Sequence, residues 1–394
     1  MIRFLRLSLF VVALTALFIS CNQDPTSVGS NLISEQDKFT FQQLNSDESN
    51  LYQKSSYFEY KPKLGTAEYL LLGKTPYAES SIMFRYNIFI PDTTLTRFNN
   101  GEVIIKEAWM QMIPRYTIGD KTSAFDFSVH QVRSNWSAPG FNRDSVPNLR
   151  YDAADVKSGL VVTDTTVKFN LNTNVIKEWF KVKKDNTAPK NNGIILKPGT
   201  TSKMLGFLAV KLNVTYYETY LHLILERPNY YKDTLVVAPD EDVHFVTGSL
   251  PAAGSNLYLE GGYSLRGSLF FDISSLPKNS IINKAALELT VDESKELDGI
   301  PKSDSIYVQL FADSTLHKLS SDSLYTSFLA RKNNVFSGDI SWAIQKWLNG
   351  HVNQGLSLIL TDEYSSAARI AFYGSNNSNK ALRPKLKITY LQKK

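Results

Sequence analysis

The sequence predicts an all-β protein made of two tandem jelly-roll-like β-sandwich domains, each with one short amphipathic helix, behind an N-terminal leader and a polar tether. Short runs of Val, Ile, Leu, Phe, Tyr and Thr are separated by Gly, Asn, Asp and Pro, which is typical of strands and turns. Long amphipathic helical patterns are absent. Most of the strand-like runs occur twice and in the same order, which indicates two related domains.

The clearest duplication is an ungapped match of residues 104–112 with residues 281–289, and both runs end in an alternating strand pattern. Five further pairs of runs keep the same order. They are Tyr69–Gly73 with Leu257–Gly261, Phe84–Ile88 with Leu269–Ile273, Phe127–Val132 with Ile306–Phe311, Asn192–Leu196 with Gln354–Leu358, and Leu221–Leu225 with Leu386–Tyr390. Because the repeat is long, it indicates duplicated domains rather than a solenoid.

Each copy contains one predicted helix with a single apolar face. Side chains at i, i+1, i+4 and i+5 share one side of a helix, and both copies have apolar residues at this spacing. The residues are Val175, Ile176, Trp179 and Phe180 in the first copy, and Ala343, Ile344, Trp347 and Leu348 in the second. Each helix is therefore expected to pack a tryptophan against its sandwich.

These patterns predict five segments along the chain. Proline and charge accumulate after Arg227 while the hydrophobic alternation lapses, which favours a linker there. We expect a signal peptide at 1–20, a tether at 21–50, a first sandwich at 51–227, a linker at 228–242 and a second sandwich at 243–394.

The leader has the order of an export signal. Arg3 and Arg6 precede an apolar stretch of roughly 13 residues, too short for a membrane span, which needs about 20. The residues Phe18-Ile19-Ser20-Cys21 resemble a lipobox, which implies a diacylglycerol on Cys21 and cleavage before it. The alternative is a chance cysteine near an ordinary cleavage site. Since Cys21 is the only cysteine, intramolecular disulfides are excluded.

The charge balance gives little sign of a nucleic-acid partner. The chain has 43 basic and 38 acidic residues; without Arg3 and Arg6 the balance is 41 to 38, a net charge of +3. Acidic and basic residues are interspersed, so no basic patch is visible. We expect a partner other than nucleic acid.

The second copy resembles a known domain family. The residues concerned are Leu269–Pro277, Ile281–Leu289, Trp347, Gly350, Asn353, Gly355 and Arg383–Leu386. They are similar to the DNRLRE-type jelly-roll domain, which is close to carbohydrate-binding module family 96. The leader, tether and paired sandwiches together resemble the Bacteroidota lipoproteins of domain-of-unknown-function family 4270. The first resemblance implies a jelly-roll fold, and the second supplies no activity.

No local signature of a catalytic, cofactor or metal site is present. His130 and His222 lie in predicted strands, where a structural role is favoured over that of a base or metal ligand. His244, His317 and His351 fall near predicted turns. The acidic pairs Glu293 with Glu296 and Asp362 with Glu363 are candidates for acid-base work on a glycan, but such carboxylates are recognised by their separation in space, which a sequence does not give. For the run Asp240–Asp242 a solvated linker is favoured over a cation site. We therefore expect no catalytic residues, no metal and no cofactor.

Two aromatic clusters are open to a binding role. They consist of Tyr52, Tyr57, Phe58 and Tyr60, and of Tyr216, Tyr217, Tyr220, Tyr230 and Tyr231. Exposed rings stack on sugars or anchor protein interfaces, whereas sandwiches also use them as ordinary strand residues.

A second pattern concerns modification. Asp followed by Ser or Thr and then by an aliphatic residue or threonine resembles a bacterial O-glycosylation acceptor and is also typical of turns. The pattern predicts exposed loops at Thr93, Ser145, Thr165, Thr234, Ser305, Ser314 and Ser323.

The sequence favours a non-catalytic lipoprotein anchored in the outer membrane, on its periplasmic or its outer face, that binds other envelope proteins within a complex. Two sandwiches, an anchor and no separate catalytic region are the reason. A surface carbohydrate-binding lipoprotein is the alternative, and a glycan-active enzyme is the third hypothesis.

Overall fold

The computed structural model describes residues 34, 38–49, 51–182, 190–210, 218–252, 254–321 and 326–393. The predicted signal peptide, Cys21 and the first part of the predicted tether lie outside these residues. The described part of the chain consists of antiparallel sheets with few helices, so the predicted all-β sandwich fold is confirmed. Within it, no helix is both long enough and apolar enough to cross a membrane.

The strands are numbered along the chain. The first fourteen are β1 (Phe39–Asn45), β2 (Gln53–Glu59), β3 (Tyr69–Lys74), β4 (Ala78–Arg85), β5 (Ile104–Met112), β6 (Pro114–Gly119), β7 (Phe127–Gln131), β8 (Lys157–Val162), β9 (Val167–Leu171), β10 (Ile194–Pro198), β11 (Lys203–Leu208), β12 (Thr219–Arg227), β13 (Tyr231–Val237) and β14 (Glu241–Gly248). The others are β15 (Asn256–Glu260), β16 (Leu265–Phe271), β17 (Ile281–Thr290), β18 (Gly299–Ile300), β19 (Ser305–Asp313), β20 (Lys318–Leu319), β21 (Thr326–Lys332), β22 (Val335–Asp339), β23 (Leu356–Leu360), β24 (Arg369–Tyr373) and β25 (Lys385–Lys393). The helices are α1 (Asp92–Asn99), α2 (Thr173–Val182) and α3 (Ser341–Leu348).

The first sandwich packs two sheets around one core. Its eight-stranded sheet has the order β18-β6-β11-β3-β4-β10-β7 with β14 added to β4, and its five-stranded sheet has the order β13-β12-β5-β9-β8. The core lies between them and includes the fully buried Phe84, Phe127, Phe169 and Phe207. Phe127 and Phe169 alternate with polar residues along β7 and β9, which is the period-two pattern that the sequence shows.

The second sandwich is one hydrogen-bonded sheet that folds over itself around a second core. Its order is β1-β25-β17-β22-β21-β19-β23-β16-β15-β24, with β2 added to β16 and β20 to β19. Phe271, Phe336 and Phe372 are fully buried in this core, and Trp347 of α3 packs against it. The predicted contact between the tryptophan helix and its sandwich is confirmed here and at Trp179 of α2.

The duplication seen in the sequence is confirmed by the strand pairing. In the first sandwich β3 pairs with β4 and β11, β4 with β10, β10 with β7, and β5 with β9 and β12. In the second, β15 pairs with β16 and β24, β16 with β23, β23 with β19, and β17 with β22 and β25. Each strand of one set has its counterpart in the other, in the order of the matched runs.

One hydrogen-bonded turn occurs identically in both copies. Asn191 donates its side-chain amide to the Tyr86 carbonyl at 2.8 Å, and its side-chain oxygen accepts the Gly193 N–H at 2.9 Å. In the second copy, Asn353 donates its side-chain amide to the Phe271 carbonyl at 2.8 Å, and its side-chain oxygen accepts the Gly355 N–H at 3.0 Å. Gly193 has φ 78°, and a Cβ there would lie 1.8 Å from the Phe84 carbonyl oxygen, so only glycine fits.

The two sandwiches exchange their first two strands. We call β1 and β2 the N-terminal arm and β13 and β14 the middle arm. The N-terminal arm precedes the first sandwich but pairs with β25 and β16 of the second. The middle arm precedes the second sandwich but pairs with β12 and β4 of the first, which are the counterparts of β25 and β16. Each arm thus completes the sandwich that it does not precede.

This exchange corrects the predicted boundaries. The predicted tether, 21–50, contains β1, and the predicted linker, 228–242, contains β13 and the start of β14. Residues 53–59, assigned to the first sandwich, pair with the second, and residues 243–248, assigned to the second, pair with the first. The sequence missed β1 and β13 because none of their residues is fully buried, so few apolar side chains mark either run as a strand.

The prediction of one helix per sandwich is correct for the second sandwich and wrong for the first. Residues 92–99 form the additional helix α1, which starts directly after Pro91. Leu95 and Phe98 pack from it against the core. Only two apolar residues face inward, which is too few for a recognisable helical period in the sequence.

Buried ion pairs and polar contacts lie where the sandwiches meet. Arg369 of β24 pairs with the carboxylate of Glu260 at 2.7 Å, and its guanidinium carbon lies 3.8 Å from the ring centre of Tyr77 of the first sandwich. Tyr116 of β6 and Ser366 are joined by a 3.0 Å hydrogen bond. Together with two small apolar clusters drawn from both halves, these contacts hold the sandwiches against each other.

Candidate binding face

A solvent-facing group of aromatic side chains lies on the five-stranded sheet of the first sandwich. Trp109 of β5 is directly opposite His222 of β12, and Val236 of β13 extends this row to the sheet edge. The neighbouring row contains Tyr220 of β12 and Lys168 of β9. We call these five residues the aromatic face. Cross-strand neighbours on one side of a sheet are in contact, so the five side chains form one surface.

The rings of the aromatic face stand on edge. The Trp109 and His222 rings are stacked, with centroids 4.9 Å apart and planes within 4° of each other, and Tyr220 meets His222 edge-on at 6.2 Å. The Lys168 ammonium lies 5.1 Å from the Trp109 ring centre. Because β12 and β9 flank β5 on opposite sides, His222 and Lys168 cover the two faces of the indole. The indole edge is therefore the part that Trp109 offers to a partner.

The electrostatics keep His222 uncharged at neutral pH. Partial burial lowers its pKa below the ordinary value of 6.5, and the positive charge of Lys168 lowers it further. Because the imidazole of His222 is neutral, it stacks on the indole of Trp109 and adds no second positive charge next to Lys168. The aromatic face thus has a centre of aromatic side chains, which are enriched in protein interfaces, with one positive charge beside it.

The second sandwich has one small and one charged residue at the equivalent positions. Ala286 and Lys387 take the places of Trp109 and His222 in the matched register. Lys387 forms an ion pair of 3.0 Å with Glu288, as expected for an ordinary solvated surface. Since the same strand framework forms with alanine and lysine there, the aromatic residues of the first sandwich are not required by the fold. Trp109, His222 and Tyr220 are half-buried, and a group of aromatic side chains on the solvent side of a sheet is a candidate interaction site.

The sequence did not identify this face. His222 was expected to be structural, and Trp109 appeared only as part of a repeat match. The signal that was available is the internal comparison, since Trp109 and His222 align with Ala286 and Lys387 in two independent strand matches. That comparison did not show that the two positions lie side by side.

Most members of the first aromatic cluster are engaged inside the molecule. The Tyr57 hydroxyl donates to the Pro251 carbonyl at 2.9 Å, and Phe58 stacks on His317 at 3.9 Å. Tyr60 lies over the guanidinium of Arg266. Tyr52 is 62% exposed and is the member that reaches furthest into solvent.

The second cluster is divided. Tyr220 belongs to the aromatic face, Tyr231 packs against the core of the first sandwich, and Tyr230 is 73% exposed with the Arg227 guanidinium 4.1 Å from its ring centre. Tyr216 and Tyr217 lie outside the described residues.

The candidate histidines are not brought together. His130 lies in β7, as expected, and contacts the Ser128 hydroxyl at 2.8 Å. His244 was expected near a turn, but it lies in the middle of β14 and is fully buried, and no hydrogen-bond partner reaches either ring nitrogen. The prediction failed because the first two residues of β14 were assigned to the linker, which placed His244 beside a predicted turn. His317 is in a turn, and His351 follows α3, as expected.

The candidate acids are held by other groups. Glu363 forms two hydrogen bonds with Arg266, at 2.8 Å and 2.7 Å, and Asp362 accepts the Ser303 hydroxyl at 2.7 Å. Glu296 pairs with Arg331 at 2.6 Å. Among the described residues, no group of three or more His, Cys, Asp or Glu side chains is placed to hold a metal ion.

The run Asp240–Asp242 is not the solvated linker that the sequence favoured. Glu241 pairs with Arg85 at 2.5 Å, and the carboxylate of Asp242 accepts the Val210 N–H at 2.6 Å. Burial raises the pKa of Asp242 to about 7. The run differs from the prediction because it begins β14, where alternate residues point to opposite sides of the sheet.

The possible O-glycosylation positions occupy several kinds of structure. Among the described positions, only Thr165 lies in an exposed turn; Thr93 is in α1, Thr234 is on β13, and Ser305 begins β19, so the prediction of loops is wrong for these three. Asp92 begins α1, Asp304 precedes β19 and Asp233 lies within β13, so an aspartate before Ser or Thr does not by itself mark a loop.

The remaining positions differ in accessibility. Ser145 and Ser314 are half-buried, and the Ser314 hydroxyl donates to Gln354 at 2.9 Å. Ser323, like Cys21, lies outside the described residues. Modification of all seven positions stays a prediction.

The chain matches no protein-family model, no curated protein and no solved structure. The family resemblances stated above therefore stay predictions.

Proposed function

We propose that the mature protein is a non-catalytic, lipid-anchored module of the outer membrane that binds another envelope protein through the aromatic face. The observation that carries this proposal is the difference between the two sandwiches. One framework has Trp109 and His222 on a surface where its duplicate has Ala286 and Lys387. Tryptophan is among the residues that contribute most to protein interfaces.

The ring geometry favours a protein over a sugar at this face. A sugar stacks on the open face of an aromatic ring, but both faces of the Trp109 indole are covered, by His222 and by Lys168. An upright indole edge within a group of aromatic side chains instead resembles the aromatic-rich centres of protein interfaces. The anchor is proposed from the lipobox resemblance at Cys21, whose acyl chains would hold the module at the membrane.

A residue swap between the sandwiches tests the proposal. W109A/H222K places the residues of the second sandwich on the first, where the shared framework accommodates them. Acylated wild-type protein is captured from detergent-solubilised envelopes of the source bacterium and should bring down a reproducible membrane-protein partner. The double variant should recover at least tenfold less of it, because loss of one interfacial tryptophan costs about 2 kcal/mol or more.

The control is F328S, which removes a 56% exposed aromatic side chain from the second sandwich and should leave partner recovery unchanged. The proposal would be contradicted if wild-type protein were captured without any partner, or if W109A/H222K recovered as much partner as wild type.

Glycan binding is a second candidate, favoured by Tyr230. Its ring is 73% exposed, and a cation covers one side only. On a glycan array, saccharide binding that is lost in Tyr230→Ala and kept in W109A/H222K would support it. Turnover of a glycan would contradict both proposals.

A further inference from the structure

A cavity of about 310 Å³ lies where the N-terminal arm meets the second sandwich. One wall comes from the arm, between β1 and the start of β2, and includes Tyr52. The other wall comes from the segment between β24 and β25 and includes Lys380 and Arg383. The volume is at the lower end of the range for small-molecule sites. The cavity exists only because the arm completes the second sandwich, so no local sequence pattern predicts it.

Hydrogen bonds hold the two walls together on both sides of the cavity. The Ser55 N–H donates to the Ser375 hydroxyl at 2.9 Å, and the Ser375 N–H donates to the Ser55 hydroxyl at 2.8 Å. The Ser46 N–H donates to the Leu386 carbonyl at 3.0 Å, and the Leu386 N–H donates to the Ser46 hydroxyl at 2.9 Å. The spacing of the walls is therefore set by the fold.

The wall between β24 and β25 carries its two cations on a fixed backbone. The Asn379 side chain accepts the Ala381 N–H at 3.1 Å and begins a single 3-10 turn, Lys380–Leu382. Arg383 follows this turn, and its Nε donates to the Asn377 carbonyl at 2.6 Å. These bonds keep the ammonium-bearing and guanidinium-bearing residues on one wall.

The charges of the cavity are not balanced within the molecule. Among the described residues, neither Lys380 nor Arg383 forms an ion pair with a carboxylate. Asp47 is the one carboxylate among the described residues that line the cavity, and it is paired with Lys385 at 3.3 Å. Glu48 follows it in the chain but does not line the cavity. Two positive charges therefore remain at the cavity, which favours an anionic ligand.

The number of cations favours a phosphate monoester over a carboxylate. A phosphate monoester carries a charge of about −1.5 to −2 at neutral pH, whereas a carboxylate carries a single charge. Arginine and lysine are both common phosphate ligands, the first through its forked N–H groups and the second as a point charge. One monoester balances Lys380 and Arg383 together, and a carboxylate leaves one of them uncompensated.

The uncharged part of the cavity suits a carbon skeleton with hydroxyl groups. Tyr52 is 62% exposed, and its ring meets Phe270 edge-on at 6.3 Å. Gln53 also lines the cavity, and its side-chain oxygen is buried without a hydrogen-bond partner among the described residues. An unpaired buried acceptor is unfavourable, so a turn of this amide toward a ligand hydroxyl is favoured.

We propose that this cavity binds a phosphate monoester of a small polyol. The phosphate contacts Lys380 and Arg383, the polyol carbons lie against Tyr52, and a polyol hydroxyl donates to Gln53. The same chemical group occurs in soluble polyol phosphates and in the headgroup of phosphatidic acid. The site depends neither on the aromatic face nor on acylation of Cys21, so its test is independent of the proposed function.

Calorimetric titration with glycerol 3-phosphate tests the site. The mature protein with Cys21→Ser, which cannot be acylated, should bind this probe. Lys380→Ser should weaken binding at least tenfold, because it removes a charge-assisted hydrogen bond. Lys278→Ser is the matched control: it removes an exposed lysine of the same sandwich that does not line the cavity, changes the net charge equally, and should leave the affinity unchanged.

A second variant separates the two parts of the ligand. Tyr52→Ala should weaken glycerol 3-phosphate and leave inorganic phosphate unchanged, because only the polyol contacts the ring. Lys380→Ser should weaken both probes. This pattern distinguishes loss of a ligand contact from loss of the folded cavity, which would weaken both probes in both variants.

Vesicle flotation then identifies the source of the group. Binding to phosphatidylcholine vesicles that contain phosphatidic acid, but not to those that contain the diester phosphatidylglycerol, and its loss in Lys380→Ser would support the site with a lipid headgroup. Binding of glycerol 3-phosphate without binding to either vesicle would support it with a soluble ligand.

Three results would overturn the proposal. They are no binding of glycerol 3-phosphate at about 1 mM, equal weakening by Lys380→Ser and Lys278→Ser, and inorganic phosphate binding as tightly as glycerol 3-phosphate. The last result would show an adventitious ion only.

Discussion

His244 should make the protein sensitive to acid, and its replacement by leucine should remove that sensitivity. The side chain lies opposite Ile82 in the β14–β4 pair, is 0% exposed, and has no hydrogen-bond partner on either ring nitrogen. Complete burial lowers its pKa from 6.5 to about 3. The imidazole is therefore neutral in the folded state and takes up a proton on unfolding below pH 6.5.

The magnitude follows from this difference in pKa. A lowered pKa means that the unfolded chain binds more protons below pH 6.5, so the free energy of unfolding falls as the pH falls toward the folded-state value. Each pH unit in this window corresponds to about 1.4 kcal/mol. Between pH 7.5 and pH 5, His244 alone should remove about 2 kcal/mol. Leucine has a similar volume and no polar atoms, so His244→Leu should also gain about 1–3 kcal/mol at neutral pH.

The measurement is urea unfolding of wild type and His244→Leu across this pH range. Carboxyl groups whose pKa is raised by burial, such as Asp242, act in the opposite sense, so the difference between the two proteins is the quantity to compare. The difference should grow by about 2 kcal/mol from pH 7.5 to pH 5. His351→Leu removes an exposed histidine and should keep the acid sensitivity of wild type. A difference that does not change with pH would refute the reasoning.

Three further predictions follow from buried contacts and from the exchanged arms. Arg266→Met leaves the buried carboxylate of Glu363 without its partner, so the free energy of unfolding measured by chemical denaturation should fall by about 3–5 kcal/mol. The double variant R266M/E363L should restore most of this loss. If Arg266→Met unfolds at the same free energy as wild type, burial of the pair is contradicted. Asn353→Ala removes two hydrogen bonds at a turn and should cost about 1–3 kcal/mol, whereas equal stability would show that water replaces them. Phe336→Ala in the second core should speed amide hydrogen exchange in the N-terminal arm more than in the middle arm, and Phe169→Ala in the first core should do the reverse. If Phe169→Ala sped exchange in the N-terminal arm and Phe336→Ala sped it in the middle arm, each arm would belong to the sandwich that it precedes, and the exchange of arms would be contradicted.

Strand runs, their order and their duplication were predictable from local sequence. The match of residues 104–112 with residues 281–289 places β5 and β17 correctly, because a period of two encodes both the strand and the side that it buries. The tryptophan helices were predictable for the same reason. The helix α1 and the edge strands β1 and β13 were missed, since each buries too few residues on one side to leave a periodic signal.

The candidate sites were predicted less well than the fold. Tyr57, Phe58 and Tyr60 were equal candidates with Tyr220 in the sequence, and the structure uses the first three in contacts inside the molecule. The exposure of an aromatic side chain depends on what packs over it. That covering residue comes from a distant part of the chain, so no local pattern reports it.

The sequence by itself determined most of the strands, the two repeats and the two helices with buried tryptophans, because these depend on spacing within a short segment. Tertiary structure alone decided which sandwich each arm completes. It also placed Trp109 against His222 and, within the described residues, paired β1 with β25 alone. The physical reason is that backbone hydrogen bonds between strands are the same for any sequence, so the choice among pairing edges is made by the packing of the whole chain.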